Sequence, residues 1–249
     1  MVTKGNASAQ RYERETWKSG LGGAISGRMV NVTEERAESF GGRPDDEGGA
    51  RFAAIPRHPA AAGMLLVALP ALTDPNFAGS VIFLLESDPE GGSAGLIINS
   101  PTRTPVGSVL PDWHDMMSEP MVVFRGGPVQ TDGALCLGRL DRNDPVLPPP
   151  GIRVIRHPAG AERVALIDLD REPEEIAPAV TGLRVFAGHA GWSPGQLEDE
   201  IEQQAWLVVP GWAGAAFHTD AGGLWRRVLR HQPAPLSFLS TISSDPTLN

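Results

Sequence analysis

His189 is the side chain here best suited to moving a proton. It stands in the run Gly188-His189-Ala190-Gly191-Trp192-Ser193-Pro194-Gly195-Gln196-Leu197-Glu198, between glycines and ahead of acids. An imidazole titrates near neutral pH, so a carboxylate that oriented it, such as Glu198 or Asp74, would make it the general base of a hydrolase or transferase. The same run also offers binding chemistry. Trp192 supplies a flat apolar face, Gln196 and Glu198 supply polar recognition, and Gly188 and Gly191 let backbone approach closely. Amides exposed at a helix start attract anions, but Pro194 removes one amide and Glu198 and Asp199 oppose the charge. Against these readings stands a simpler one. A tryptophan beside glycine is most often core, and acids along a helix are most often a solvated face.

Three other patterns carry less. Gly91-Gly92-Ser93-Ala94-Gly95 matches the G-x-S-x-G of a nucleophile elbow, but that motif needs a strand leading into the serine and a helix leading out. Here turn residues lead in and the apolar run Leu96-Ile97-Ile98 leads out, which describes a hairpin. The six histidines are scattered, and Asp112-Trp113-His114-Asp115 lacks metal-ligand spacing, so no metal is expected. No cofactor is expected either, because neither a phosphate loop nor a dinucleotide glycine pattern is present. Cys136, the single cysteine, sits in the apolar run Ala134 to Leu140 and reads as core.

The elements that must position these residues follow from periodicity. Leu183, Val185 and Phe186 open a strand that the glycines are expected to interrupt. Ser193 and Pro194 read as a helix start, with Gln196 completing a capping box. Leu197, Ile201 and Ala205 fall four apart and give the helix one apolar stripe. Trp206-Leu207-Val208-Val209 then reads as a buried strand. Upstream, Met64 to Leu69, Ser80 to Leu85, Ala94 to Asn99, Met121 to Phe124, Ala134 to Leu140, Ile152 to Arg156 and Val164 to Asp168 read as strands. Helical turns are expected over Pro105 to Leu110, Pro173 to Val180 and Gly223 to Arg230. Strands and helices do not alternate regularly, which favours α+β over a doubly wound parallel sheet.

Residues 1–62 are rich in Gly, Ala, Ser and mixed charge, and read as a poorly ordered extension with at most a short helix over Thr33 to Phe40. Residues 63–232 read as the folded domain and 233–249 as a loose tail. From residue 63 on, the chain has twelve basic groups, all arginine, against twenty-two acids. Such a domain repels nucleic acid on average. No apolar run is long enough for a membrane span, no secretory h-region is present, and one cysteine suits a reducing cytoplasm.

The blocks Leu65 to Pro70 with Asp74-Pro75-Asn76-Phe77, Gly95-Leu96-Ile97-Ile98-Asn99-Ser100-Pro101, Gly126-Gly127-Pro128-Val129 and Ala190 to Ile201, in this order, resemble the YqgE/AlgH family of bacterial proteins. The resemblance covers roughly residues 63–230. It implies an α+β fold whose mixed, largely antiparallel bifurcated sheet curls into a pseudo-barrel with a few flanking helices. It implies no settled activity, although some members carry a transcriptional-regulator label. Where His189 stands such proteins often have an aromatic residue, and where Gly79 and Ser100 stand, arginine. If those arginines hold an anion in relatives, part of that site is missing here. The expected function is therefore non-enzymatic binding in the cytoplasm, of a small molecule or a protein. The expected surface comprises Asp74, Asn76, Phe77, Arg125, Gly126, Gly127, Gly188, His189, Gly191, Trp192, Gln196 and Glu198, where loops rich in Gly, Trp and polar groups join ordinary strands. Catalysis by His189 with a carboxylate is the rival. Gene regulation, through a partner rather than by direct DNA contact, is the third.

Overall fold

The computed structural model describes residues 58–141, 149–156 and 163–241. Most of the expected extension at 1–62, with its helix over 33–40, lies outside the described residues, as does most of the loop from Asp141 to Gly151.

Ten strands form one sheet among the described residues: β1 Leu65–Ala68, β2 Val81–Asp88, β3 Gly92–Ile97, β4 Pro101–Pro105, β5 Val122–Arg125, β6 Val129–Leu140, β7 Ile152–Ile155, β8 Val164–Ile167, β9 Val180–Trp192 and β10 Trp206–Val209. Their order is β10-β1-β2-β3-β9-β6-β8-β7, with β4 on β5 and β5 on β9. All pairs are antiparallel except β5 with β9. The sheet curls into a half-barrel with a few helices, the mixed α+β class expected. β1, β8 and β10 are buried along their whole length, which is why they read as unbroken apolar runs.

The sheet divides at β9. Its residues from Val180 to His189 pair with β6, and Ala190 to Trp192 pair with β3. β5 joins it in parallel at Phe186 and Ala187. Each half of β9 feeds a different core. Leu183 and Val185 pack with Trp113, Cys136, Ile167 and Ile176. Ala190 and Trp192 pack with Leu66, Ile82, Leu197 and Trp206.

The helices are short: α1 Pro173–Ile176, α2 Gln196–Glu202, α3 Ala213–Ala216, α4 Leu224–Arg230 and α5 Leu236–Leu239. α4 buries Leu224, Trp225, Val228 and Leu229, and the Trp225 Nε1 donates to the Ala68 carbonyl at 2.8 Å, tying it to β1.

Five expectations change. The glycines do not interrupt β9, which runs through Gly188 and Gly191 for 13 residues. β6 begins at Val129, well before its apolar stretch, because its first half is exposed. β4 was not expected, since it is an exposed strand with proline at both ends. The turn expected over Pro105 to Leu110 forms as a 3-10 helix, Val106–Ser108, but Pro111 then starts a second one, Pro111–Met116, that was not expected. The stretch after Pro233 is not wholly loose: it forms α5 and buries Leu236.

Candidate functional site

The expected surface residues fall into two groups. Asp74, Asn76, Phe77, Trp192 and Gln196 belong to an aromatic knot closed by a carboxylate that sequence reasoning passed over, Glu200. Its Oε2 accepts the Trp192 Nε1 at 2.9 Å and the Trp206 Nε1 at 2.7 Å, and its Oε1 accepts the Gln196 Nε2 at 2.9 Å. The rings of Trp192 and Trp206 meet edge to face at 5.9 Å, and Phe77 stacks on Trp192 at 6.3 Å. Phe77 is brought there by a tight turn: Asp74 Oδ1 accepts the Asn76 amide at 2.8 Å and the Asp74 carbonyl accepts the Phe77 amide. Gln196 Oε1 takes the Ser193 amide at 3.1 Å, the return bond of the expected capping box. The helix proper begins at Gln196 after a left-handed Gly195, later than the serine–proline start suggests.

Trp192 is 6% exposed and lies in the core, so it is not a flat platform for a ligand. Glu198 stands half-buried, and no hydrogen bond or ion pair engages its carboxylate among the described residues. Glu200 was legible in principle. Gln196 and Glu200 are i,i+4 neighbours beside the Leu197–Ile201–Ala205 stripe, with a tryptophan shortly before and shortly after the helix.

The second group joins Arg125, Gly126, Gly127, Gly188 and His189. Gly126 donates its amide to Ala187 and its carbonyl accepts the Ile97 amide, both at 2.8 Å, so the turn after β5 lies directly against β9. A side chain at Gly126 would collide with the Gly188 carbonyl, and one at Gly188, whose φ is 69°, would meet the Gly127 and Val129 carbonyls. Backbone contact is what these glycines are for. Arg125 and Gly191 face solvent. Across from Gly188, β6 loops outward. Val129 is opposite His189 and Ala134 opposite Ala187, so three extra residues bulge from β6. Gln130, Thr131, Asp132 and Gly133 are exposed there, and Gln130 adopts φ 50°.

His189 is buried, and burial pushes its imidazole below the usual value of 6.5. An orienting carboxylate would push the other way, and none is hydrogen-bonded to the ring among the described residues. A base whose folded pKa is depressed stabilises the fold above its unfolded pKa, and that stability is lost as pH falls toward the folded value. Wild type should therefore lose stability below about pH 6.5 relative to His189→Phe, with the two curves parallel at higher pH. Urea titrations of both proteins from pH 5 to 8 check this. Parallel curves throughout would mean that the ring is solvated in the fold.

Ser93 is no nucleophile elbow: it lies inside β3, buried, with its hydroxyl 2.9 Å from that of Ser87 across the hairpin. Burial pushes the Cys136 thiol up to about 12, so it is an inert core residue.

Sequence reasoning also missed Arg184. It is 2% exposed in the middle of β9, and its guanidinium carbon lies 4.3 Å from the Phe124 ring centre. Nη1 donates to the carbonyls of Ala216 at 3.0 Å and His218 at 3.1 Å, and Nη2 donates to that of Glu119 at 2.5 Å, while Nε has no partner among the described residues. Burial and, secondarily, the charge of Arg139 lower its pKa to about 10. An arginine in an otherwise apolar strand gives no sign in sequence that carbonyls will receive it.

A family model described as AlgH-like, DUF179, matches residues 65–237. A UPF0301 protein of Mycobacteroides abscessus is 43% identical over 201 residues, which cover 81% of this chain and 94% of that protein. One of Streptomyces coelicolor is 47% identical over 191 residues, covering 75% and 94%. A crystal structure of a Corynebacterium diphtheriae protein aligns with a TM-score of 0.70 at 34% identity, covering 77% of this chain and 97% of that one. The solution structure of AlgH from Pseudomonas aeruginosa aligns with a TM-score of 0.50 at 26% identity, covering 76% and 97%.

Proposed function

The chain belongs to the AlgH-like family, and from that premise we propose that it works in the bacterial cytoplasm by binding a partner rather than by catalysis. The observation that carries this reading is the bulge of β6. Four exposed residues, Gln130 to Gly133, stand out of the β6–β9 ladder, and Arg125, also exposed, pairs with the same β9 residue, Ala187, as Ala134 does. Gln130 holds a left-handed backbone that costs a non-glycine residue about 1–3 kcal/mol. Glycine contacts fix the bulge from beneath. A rigid scaffold holding out a strained polar loop is a common way of presenting a contact surface. Of the residues expected at the surface, Arg125, Gly191 and the neighbourhood of His189 belong to it. The acidic balance disfavours nucleic acid as the direct partner, and no helix of the described residues is long and apolar enough to cross a membrane.

A thermal-shift panel of nucleotides, metabolites and metals, followed by affinity capture from lysate, tests the reading on wild type and Arg125→Glu. A small ligand at about 100 times its Kd adds about 2.7 kcal/mol, a shift of roughly 5–10 °C at this size. The ligand's shift, or the captured protein, should disappear in Arg125→Glu while the melting point of the unliganded variant stays put. Retention by the variant would place the surface elsewhere. Substrate turnover that is lost in His189→Phe would replace binding with catalysis.

A further inference from the structure

Two arginines stand on one face of the β6–β9 pair. Arg139 lies opposite Gly182 in the ladder, and Arg184 follows Gly182 by two residues, which returns it to the same side of β9. Neither makes an ion pair among the described residues. Beside them opens a cavity of about 500 Å³, formed where the 3-10 helix Pro111–Met116 and the loop after it cross this pair and meet the end of α3. Gly182 is part of its wall, and the Ser118 hydroxyl packs against it where a side chain would collide.

Arg139 is held in place on this wall. Its Nε donates to the Thr181 hydroxyl at 3.1 Å, that hydroxyl donates to the Arg139 carbonyl at 3.2 Å, and the guanidinium lies 5.5 Å from the Phe217 ring centre. Its two terminal nitrogens make no hydrogen bond among the described residues. That is the planar fork which receives a carboxylate through two parallel bonds. Arg184 lies behind it and makes no ion pair among the described residues, and it holds the carbonyl of Glu119, a residue that lines the opening.

The remaining walls decide which anion fits. Met117, Val180 and Phe217 are apolar, buried or half-buried, in a lining that is otherwise mostly polar, so only a small hydrocarbon body is accommodated. Asp115 and Glu119 also line the opening, but both are exposed. At the rim their charges are screened by water, whereas an anion seated on the Arg139 fork makes two direct charge-assisted bonds at contact distance. The same rim acids repel a second negative charge. Phosphate monoesters and polyanions are thereby disfavoured against a single carboxylate.

We propose that this cavity binds a small monocarboxylic acid, its carboxylate on the Arg139 fork and its apolar body against Met117, Val180 and Phe217. The site is separate from the β6 bulge and stands or falls independently of it. Calorimetric titration of the full chain with acetate, isobutyrate and benzoate, with benzamide and inorganic phosphate as comparators, tests it. At least one acid should bind, and the best should bind at least tenfold tighter than benzamide and than phosphate. Arg139→Gln should lose at least tenfold for that acid at an unchanged melting point. In a sample carrying 13C-labelled methionine methyls, the same acid should shift Met116 and Met117 more than the other methionines. Absence of binding by all three acids overturns the proposal, as do equal affinity for acid and amide, undiminished binding by Arg139→Gln, and methyl shifts confined to other methionines.

Discussion

A Glu200→Ala variant is expected to lose about 3–4 kcal/mol of stability and to melt about 10 °C lower. The carboxylate accepts two indole N–H groups on one oxygen and an amide on the other. Trp192 and Trp206 are 6% and 2% exposed, so water cannot readily replace it. An orphaned buried donor costs about 1–3 kcal/mol, and two are created at once. Each kcal/mol moves the midpoint by about 2–4 °C in a domain of this size. Glu200→Gln separates charge from geometry. Its oxygen can still take both indoles, but its amide then faces the amide of Gln196, at a cost of about 1 kcal/mol. Calorimetric scans of the three proteins measure this. If alanine and glutamine shifted the midpoint alike by less than about 3 °C, water would be serving the indoles and the knot would be ornamental to stability.

The second large effect concerns Arg184, where two opposing quantities must be compared. Its pKa of about 10 against an ordinary 12.5 means that burial, with the charge of Arg139 second, makes the charge costly by roughly 3 kcal/mol, at about 1.36 kcal/mol per unit. An Arg184→Met variant removes that cost. It also leaves the carbonyls of Glu119, Ala216 and His218 without a donor, at about 1–3 kcal/mol each, and forfeits about 1–2 kcal/mol of contact with the Phe124 ring. The losses win, and a net destabilisation of about 3 kcal/mol is expected. Urea denaturation with an unchanged slope would register it as a lower midpoint. A variant as stable as wild type would mean that the charge cost cancels the three bonds, making Arg184 dispensable to the fold and free to be retained for another reason.

These two residues also mark where sequence reading stops. Strands buried on both faces announce themselves, and β1, β2, β8 and β10 stood close to where their apolar runs put them. The stripe Leu197–Ile201–Ala205 packs into the core as its spacing required. Side-chain bonding across elements leaves no such periodic trace. Nothing near Arg184 in sequence indicates carbonyls more than thirty residues away on either side. Glu200 looks like its neighbours Glu198 and Glu202 until the helix phase is set beside both tryptophans. The glycines of β9 misled for a related reason. Glycine usually signals a turn, but at Gly188 the cause is another backbone lying against the strand, and that backbone belongs to a segment sixty residues earlier. β4 and the first half of β6 are exposed, and an exposed strand carries no buried face to read.

One strand serving two cores has a consequence for how the molecule comes apart. β9 gives Leu183 and Val185 to one apolar cluster and Ala190 and Trp192 to the other, and it accepts β3, β5 and β6 as neighbours along its length. Neither cluster can melt without stripping partners from a strand that the other still needs. Calorimetric unfolding of the domain is therefore expected as one cooperative transition rather than two. Damage on either side of β9 is felt on both.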